Sequence, residues 1–573
     1  MAAIFDPSLL SSPPFVVGSH LPAPAPRSNI AYDRAKAIAL ASGLDLDDIC
    51  SLKPKFWELH LHPVLQRDGA AMTLLTIQYN LVIGTIGRYA QRQPYLLSLM
   101  KDLLKYRVHG QFLLTELGHG LDAKNLETTA TLLPSGGFNL SSHTPRAAKF
   151  MPPTIPAGAP TIGVVFARLL VDAEDRGIRP FIVTLNDGVH MTPGVTAKAM
   201  PPRGGTQIVN HALTSFDNVQ LPATAILGSL DEAEDFSGLI TRVAVGSLAL
   251  SLVCVSVIST CATIGFMYSR RRTVTGVTGG QIPIFSFVTQ QKPIALAVAQ
   301  AFVFKALAKW ASSFFADATV DLRIRHGVAA ASKAVITRRA TEACLSISER
   351  CGAQGLFGDN QMAALFNDVR MVIVAEGDVL VLCIRLTMEL LLGKYRLPPS
   401  THPESALAQH EAALFAELSS ILSTASHHRD PEVSRRILPH CQTFVGAIGD
   451  RMAYDAALDA GVMPSLLDLY VSDAIQRDGS WYSEQAGLSR SEQSAAVQAA
   501  LNAVLPQMES LVDDLGVQPY LTAPIVSEKT WARFDSALPT YTSSHSRDGD
   551  ATDGVEPTVG SRTLSRDRLS TRL

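Results

Sequence analysis

Charge is scarce in this chain. Asp, Glu, Lys and Arg together make up 18% of its 573 residues, and 49 basic side chains nearly balance 52 acidic ones, for a formal net charge of −3. That balance gives no general electrostatic drive toward nucleic acid or anionic lipid, so no nucleic-acid partner is expected. The seven cysteines (Cys50, Cys254, Cys261, Cys344, Cys351, Cys383 and Cys441) are odd in number and form no CxxC pair. Most lie in apolar, helical-looking stretches, as in the reduced interior of an intracellular protein rather than a disulfide framework. The opening MAAIFDPSLLSSPPF lacks a basic region followed by an apolar one, which argues against secretion. GVTGGQ (276–281) has neither the Walker lysine nor GxGxxG spacing, and no GxSxG elbow occurs. His60 and His62, in WELHLHP, lack a matching carboxylate or cysteine nearby, so no metal site is expected. His427–His428, followed by Arg429 and Asp430, reads as an exposed loop.

Apolar residues are abundant, at 47%, with a mean hydropathy of +0.17. Such a chain folds, and at roughly 100–200 residues per domain its length suggests three to five units. Residues 1–31, rich in Pro, Ser and Ala, read as an irregular arm. Over 32–110 apolar positions recur three and four apart, as in MTLLTIQYNLVIGTIGRY, which predicts helices. Over 111–230 the runs shorten (TIGVVFARLLV, PFIVTLN, TQIVNHALTSF and ATAILG) between Gly, Pro and Asn turns, which predicts a mainly β domain. Helices return over 231–400, break at RLPPSTHP and resume over 401–541. Residues 542–573 are polar and without period, and are expected to form a disordered tail. The class is α+β, mostly α.

Val243–Ser269 contains no charge and no proline and is followed by Arg270, Arg271 and Arg272. By length and flank it could span a membrane. Its Ser, Thr, Ala, Gly and Cys content suits close helix packing instead, and it reads as a buried bundle helix with no membrane span.

Five segments in order resemble the acyl-CoA oxidase and dehydrogenase flavoproteins. TELGHGLDAKNLETTAT (115–131) is similar to their flavin-contacting segment. RRRTVTG (270–276) followed by FSFVTQQKPIALAVAQAF (285–302) resembles the twin-arginine and QTQQ region. ERCGAQGLF (349–357) stands where the family has CGGHGY, and DVRMVIVAEGDVLVL (368–382) where it has the catalytic EGEN. The C-terminal LLDLYVSDAIQRDGSWYSEQAGLS and LVDDLGVQPYLTAPI resemble the extra domain of the oxidase branch. The resemblance spans about Lys53 to Ile525. It implies an acyl-CoA dehydrogenase-like fold: an N-terminal helical domain, a central β-barrel or sandwich, a helical bundle and an extra C-terminal helical domain.

The implied reaction is α,β-dehydrogenation of an acyl thioester. An α-proton of a thioester is only weakly acidic, so removing it needs a base in an apolar pocket and hydrogen bonds to the developing enolate oxygen. Glu376 fits the base, inside MVIVAEGDVLVLCI, where burial should raise its pKa. Gly377 beside it allows close backbone approach. A competing reading makes Glu376 a charge partner for a helix N-terminus. Arg242 matches the family arginine near the base, or else makes an ordinary surface ion pair. No side chain accepts a hydride, so the resemblance also implies FAD. Its contacts would come from Thr115, Gly118, Gly120 and the KFMPPT segment at Pro153. Arg271, Gln290, Gly352, Gly355 and Asp378 would complete the set, with Arg271 toward the pyrophosphate. In the family FAD lies at a homodimer interface, and O2 accepts the electrons as hydrogen peroxide.

Several positions depart from the family pattern. KWWPGG is KFMPPT, so a flavin-contacting glycine becomes Pro153, with no N–H and a fixed φ. CGGHGY is CGAQGL, with Ala353, Gln354 and Leu356; EGEN is EGDV, with Asp378 and Val379; RRQ is RRT, with Thr273. These changes suggest a specialised paralogue with a non-standard acyl substrate. Rival readings are a dehydrogenase that passes electrons to a flavoprotein, and a flavin-poor scaffold subunit. Thr571–Arg572–Leu573 resembles an SKL-type peroxisomal signal, departing at its first position. The expected location is therefore peroxisomal, with cytoplasmic as the alternative.

Overall fold

Pro24 opens a helix where the sequence suggested an irregular arm. In the computed structural model, which describes residues 5–16, 24–231, 234–424, 427 and 429–541, the first long helix is α1 (Pro24–Ser42). It is preceded by a 3-10 helix at Pro7–Ser11 and a single α-helical turn at Pro13–Val16. Proline in a first helical turn loses no hydrogen bond, because that N–H has no intrahelical partner, so a proline-rich start does not exclude a helix. The expected tail 542–573 with its terminal Thr571–Leu573, and His428, lie outside the described residues.

Asp68 caps α2 (Gly69–Thr76) by accepting from the Ala70 and Ala71 N–H groups. The chain then passes directly into a π-helical stretch, Ile77–Ile83, which carries the fully buried Asn80.

The change to short apolar runs produces nine strands. β1 (His109–Leu113), β2 (Thr129–Leu132), β3 (Phe138–Ser141), β5 (Thr161–Val171), β6 (Glu174–Asn186) and β9 (Val219–Leu221) form one sheet; β4 (Lys149–Phe150), β7 (Val195–Ala199) and β8 (Ala212–Phe216) form another. β5 is the spine: it pairs in parallel with β1 and β2 and antiparallel with β6. Of TQIVNHALTSF only the last five residues are strand. ATAILG forms a 3-10 turn at Ala223–Ala225. Leu113, Val165, Phe181 and Phe216 belong to the separate core of this domain.

Three long helices form the bundle: α3 (Thr241–Arg271), α4 (Val288–Ala316) and α5 (Leu322–Arg350) pack against one another. α6 (Met362–Val374) closes on α5 and α3, and α7 (Val379–Leu391) follows. Gly69–Gly87, α3 and α4 are each long and apolar enough to cross a membrane. Their apolar windows are 83%, 89% and 67% buried against the rest of the chain. GVTGGQ is the turn of a hairpin between β10 (Thr273–Thr275) and β11 (Gln281–Pro283), closed by Gly276 N–H to the Gly280 carbonyl at 2.7 Å. That turn accounts for its glycines.

Beyond the breaker, α8 (Cys441–Asp459) packs on α4 and α5. Arg339 of α5, 2% exposed, donates through Nη2 to both oxygens of Asp450 at 2.8 Å, joining the bundle to the C-terminal segment. The last described helix is α9 (Glu528–Ser536).

Candidate active site

Glu376 lies in the short link 375–378 between α6 and α7, and its backbone is left-handed, with φ +52°; Gly377 follows at +101°. A left-handed glutamate is disfavoured and persists only where its surroundings over-determine it. Here they do. Lys333 of α5, with no exposed surface, donates through Nζ to the Ala375 carbonyl at 2.5 Å and the Gly377 carbonyl at 2.7 Å. Ser247 Oγ of α3 donates to the carbonyl of Glu376 itself. The side chain runs onto Gly246, where a Cβ would stand 1.2 Å from Oε2, and Asn80 Nδ2 donates to Oε2 at 3.4 Å. Glu376 keeps part of its surface open to solvent, but its carboxyl group is packed among these atoms. Burial pushes that carboxyl up to about 8, while the Lys333 charge pulls it down.

Asp378 fills the role that could have explained Glu376 away. Its Oδ1 accepts from the Leu380 and Val381 N–H groups and caps α7. Arg242 does not make the ordinary surface ion pair of its alternative reading. It is 6% exposed, not a surface residue, and its guanidinium donates to the Ile49 and Cys50 carbonyls at 3.0 and 2.9 Å. It reaches Glu376 only indirectly, because its backbone carbonyl accepts from the same Asn80 Nδ2 at 2.9 Å.

Thr115, Gly118 and Pro153 come from two segments joined in the β domain. Thr115 is exposed, and its carbonyl accepts from Phe150 N–H at 2.8 Å. Next to it, Glu116 and Lys149 form an ion pair at 2.9 Å with no exposed side-chain surface on either partner. The Glu116 carboxylate also accepts from Glu127 N–H and Thr128 N–H, and Lys149 Nζ donates to the Phe166 carbonyl. Gly118 packs on Arg146, where a Cβ would stand 2.7 Å from the arginine Cβ; at Gly120 a Cβ would meet nothing within 4 Å, so no close approach within the chain explains that glycine. Pro153 is buried.

Arg271 and Gly352 line a second region, a cavity of about 560 Å³ shared with Arg272, Thr273, Gln354 and Trp531. Gly355 packs on the preceding helix: a Cβ there would lie 2.2 Å from the Ser348 carbonyl oxygen. Gln290 donates to the Arg350 carbonyl at 3.3 Å and leaves its own Oε1 buried without a partner. Arg271 donates to Glu528 at 2.7 Å and to the Ile525 carbonyl, with its guanidinium 5.9 Å from the Trp531 ring centroid. An arginine and an aromatic face at one cavity suit a nucleotide diphosphate.

Sequence reasoning missed Asn80, Gly246, Ser247, Lys333, Glu528 and Trp531. Lys333 alone left a visible signal: a single cation in the small apolar run AAASKAVI, where a buried helix face leaves no room for an unpaired charge.

Residues 245–391, which hold Gly246, Lys333 and Glu376, match the family model described as "Acyl-CoA oxidase, C-alpha1 domain". The chain is 26% identical over 353 residues to the putative peroxisomal acyl-coenzyme A oxidase 1.2 of Arabidopsis thaliana, covering 56% of this chain and 52% of that one. It thus spans about half the length of the curated relatives it matches. The fold is similar to that of acyl-CoA oxidase 1 from Yarrowia lipolytica, with a TM-score of 0.80 and 19% identity over 93% of this chain and 89% of that one. It also resembles acyl-CoA oxidase-1 of Caenorhabditis elegans, a structure complexed with FAD and ATP, with a TM-score of 0.68 and 16% identity over 89% and 91% of the two chains. Residues 245–391 thus match an acyl-CoA oxidase domain, and the chain as a whole is similar in sequence and in fold to acyl-CoA oxidases.

Proposed function

We propose that this protein catalyses FAD-dependent α,β-dehydrogenation of an acyl-CoA, or a related acyl thioester, to the trans-2-enoyl thioester. Glu376 takes the α-proton as the β-hydrogen leaves with its electron pair. FAD, when bound, supplies the acceptor for that hydride and hands the electrons to O2 as hydrogen peroxide. The observation that carries the reading is the constrained link at Glu376, whose carboxyl is held on Gly246 and Asn80 and raised to about 8. A carboxylate desolvated in this way is a stronger base than one in water.

Thr115, Gly118 and the Pro153 segment would hold the flavin edge. Arg271, Gln290, Gly352 and Gly355 would hold the nucleotide end. Gly246 and Arg271 are 25 residues apart on α3, about 37 Å at 1.5 Å per residue. One dinucleotide does not bridge that distance, which supports a homodimer in which each FAD takes its flavin contacts from one copy and its nucleotide contacts from the other.

Pro153, Gln354 and Thr273 support a substrate other than the common straight-chain acyl-CoA. The peroxisome is the proposed location, since named relatives are peroxisomal; a fluorescent fusion with and without the last three residues tests it. Anaerobic titration of the purified protein with a panel of acyl-CoA thioesters tests the activity. A flavin spectrum that bleaches with one thioester, but not in Glu376→Gln, is the expected result. A protein that neither retains FAD nor responds to any thioester overturns the proposal.

A further inference from the structure

Lys333 is buried without a carboxylate in direct ion-pair contact. Of the groups packed around it, only Glu376, Asp378 and Cys254 influence its charge noticeably. An ammonium in such a place is costly unless its donors are used, and here two of them go to the carbonyls on either side of one residue. Those carbonyls belong to the C-terminal cap of α6 and to Gly377.

Resting on the reading of Glu376 as the base, we infer that Lys333 is its positioning residue. By clamping the Ala375 and Gly377 carbonyls it holds the glutamate in the left-handed conformation that aims the carboxylate over Gly246, and it keeps a positive charge beside that carboxylate. The clamp and the charge act on different quantities. The clamp fixes where the carboxylate stands. The charge favours its ionised form against the desolvation that favours the acid.

The neighbouring charges leave this task to Lys333. On α3, Arg242 points to the Ile49 and Cys50 carbonyls, and Cys254 is a buried thiol pushed up to about 12. On α6, Asp368 accepts from Thr206 N–H and packs against Gly69. In the link itself Asp378 caps α7. From the π-helical stretch comes only the neutral Asn80. Burial lowers Lys333, and the Glu376 charge raises it, so each group favours the charged form of the other.

The test uses the full-length, FAD-loaded enzyme in four forms: wild type, Lys333→Arg, Lys333→Gln and Lys333→Met, with Glu376→Gln as control. Lys333→Met and Lys333→Gln should lower kcat about tenfold or more with KM little changed, as for a misplaced reacting group. They should also move the pH midpoint of kcat/KM upward by about one unit, because the charge that favours the carboxylate is gone. Lys333→Arg keeps the charge and should keep the midpoint. The flavin spectrum and thermal midpoint report folding independently of turnover. An unchanged pH midpoint in Lys333→Gln overturns the inference, as does the pattern in which Lys333→Met and Lys333→Gln both fail to fold while Lys333→Arg is normal. A Glu376→Gln enzyme that still turns over instead removes the base on which the inference rests.

Discussion

The Glu376 carboxylate rests on the α-carbon of Gly246: a Cβ at that glycine would stand 1.2 Å from Oε2 and 2.3 Å from the carboxyl carbon. Both the link and the α3 backbone are fixed, so a methyl group there has to expel the carboxylate. Gly246→Ala is therefore expected to reduce turnover about 100-fold by displacing the base, while alanine, a better helix former than glycine, leaves α3 intact. Steady-state kinetics beside a thermal melt checks this. A variant that loses activity only in proportion to lost folded protein would place the carboxylate elsewhere.

The proposed proton abstraction would require the ionised form of Glu376, whose carboxyl burial has pushed up to about 8. The kcat/KM of the free enzyme should therefore rise with pH through a midpoint near 8, and Glu376→Gln should abolish the limb along with the activity. Stability should run the other way. The folded carboxyl holds its proton well above 4.5, the ordinary value for Glu, so between about 4.5 and 8 the native state binds more protons than the unfolded one. This contribution is full below about 4.5 and is lost as pH rises through about 8. Denaturant unfolding at pH 5.5 and 8.5 should show that decline in wild type and less of it in Glu376→Gln.

Glu376 is legible in the sequence because AEGD interrupts an apolar helical pattern with a charge and a glycine, and because the accompanying motifs keep their order. Its supports are not legible in that way. Lys333 reaches the link from 42 to 44 residues away, and Ser247 from 129. Periodicity marks those positions only as helix faces, so their partners emerge only when α3, α5 and the link are packed. Arg242 shows the converse. Its position near the base matches the motif, but the direction of its side chain is set by the Ile49 carbonyl, 193 residues away. The β domain was legible as a class but not strand by strand: residues 207–211 and 226–228, read as parts of apolar runs, lie outside the strands. At Pro24, one residue type serves as either breaker or helix opener, and local pattern does not separate the two.

The Glu116–Lys149 pair joins the two segments assigned to the flavin edge, and neither side chain is exposed. Lys149→Met leaves Glu116 charged and partly unpaired in the core, a change that costs about 3–5 kcal/mol for a broken buried pair. The double variant Glu116→Gln/Lys149→Met should be less destabilised than the sum of the two single changes, because both halves of the pair are removed together. Denaturant midpoints of the four proteins measure this coupling. Additive losses would show that the pair contributes nothing as a pair.

Arg271 is held by a carboxylate that a cofactor would have to replace. Glu528 sits 2.7 Å away and is 79% exposed, on the outer helix α9, whereas Arg271 is 23% exposed at the cavity wall. An exposed pair of this kind adds little to folding, so Arg271→Ala and Glu528→Gln should both melt close to wild type. Their effects on FAD should be opposite. Losing the guanidinium removes a charge-assisted contact to the pyrophosphate and should weaken binding about tenfold or more. Losing the Glu528 carboxylate removes a competitor for the same guanidinium and should tighten binding several-fold at low ionic strength, with the gain shrinking as salt screens the pair. Titration of the apoprotein with FAD, followed by flavin fluorescence, distinguishes the two. Weaker binding in Glu528→Gln would mean that the carboxylate orients Arg271 for the phosphates instead of occupying their place.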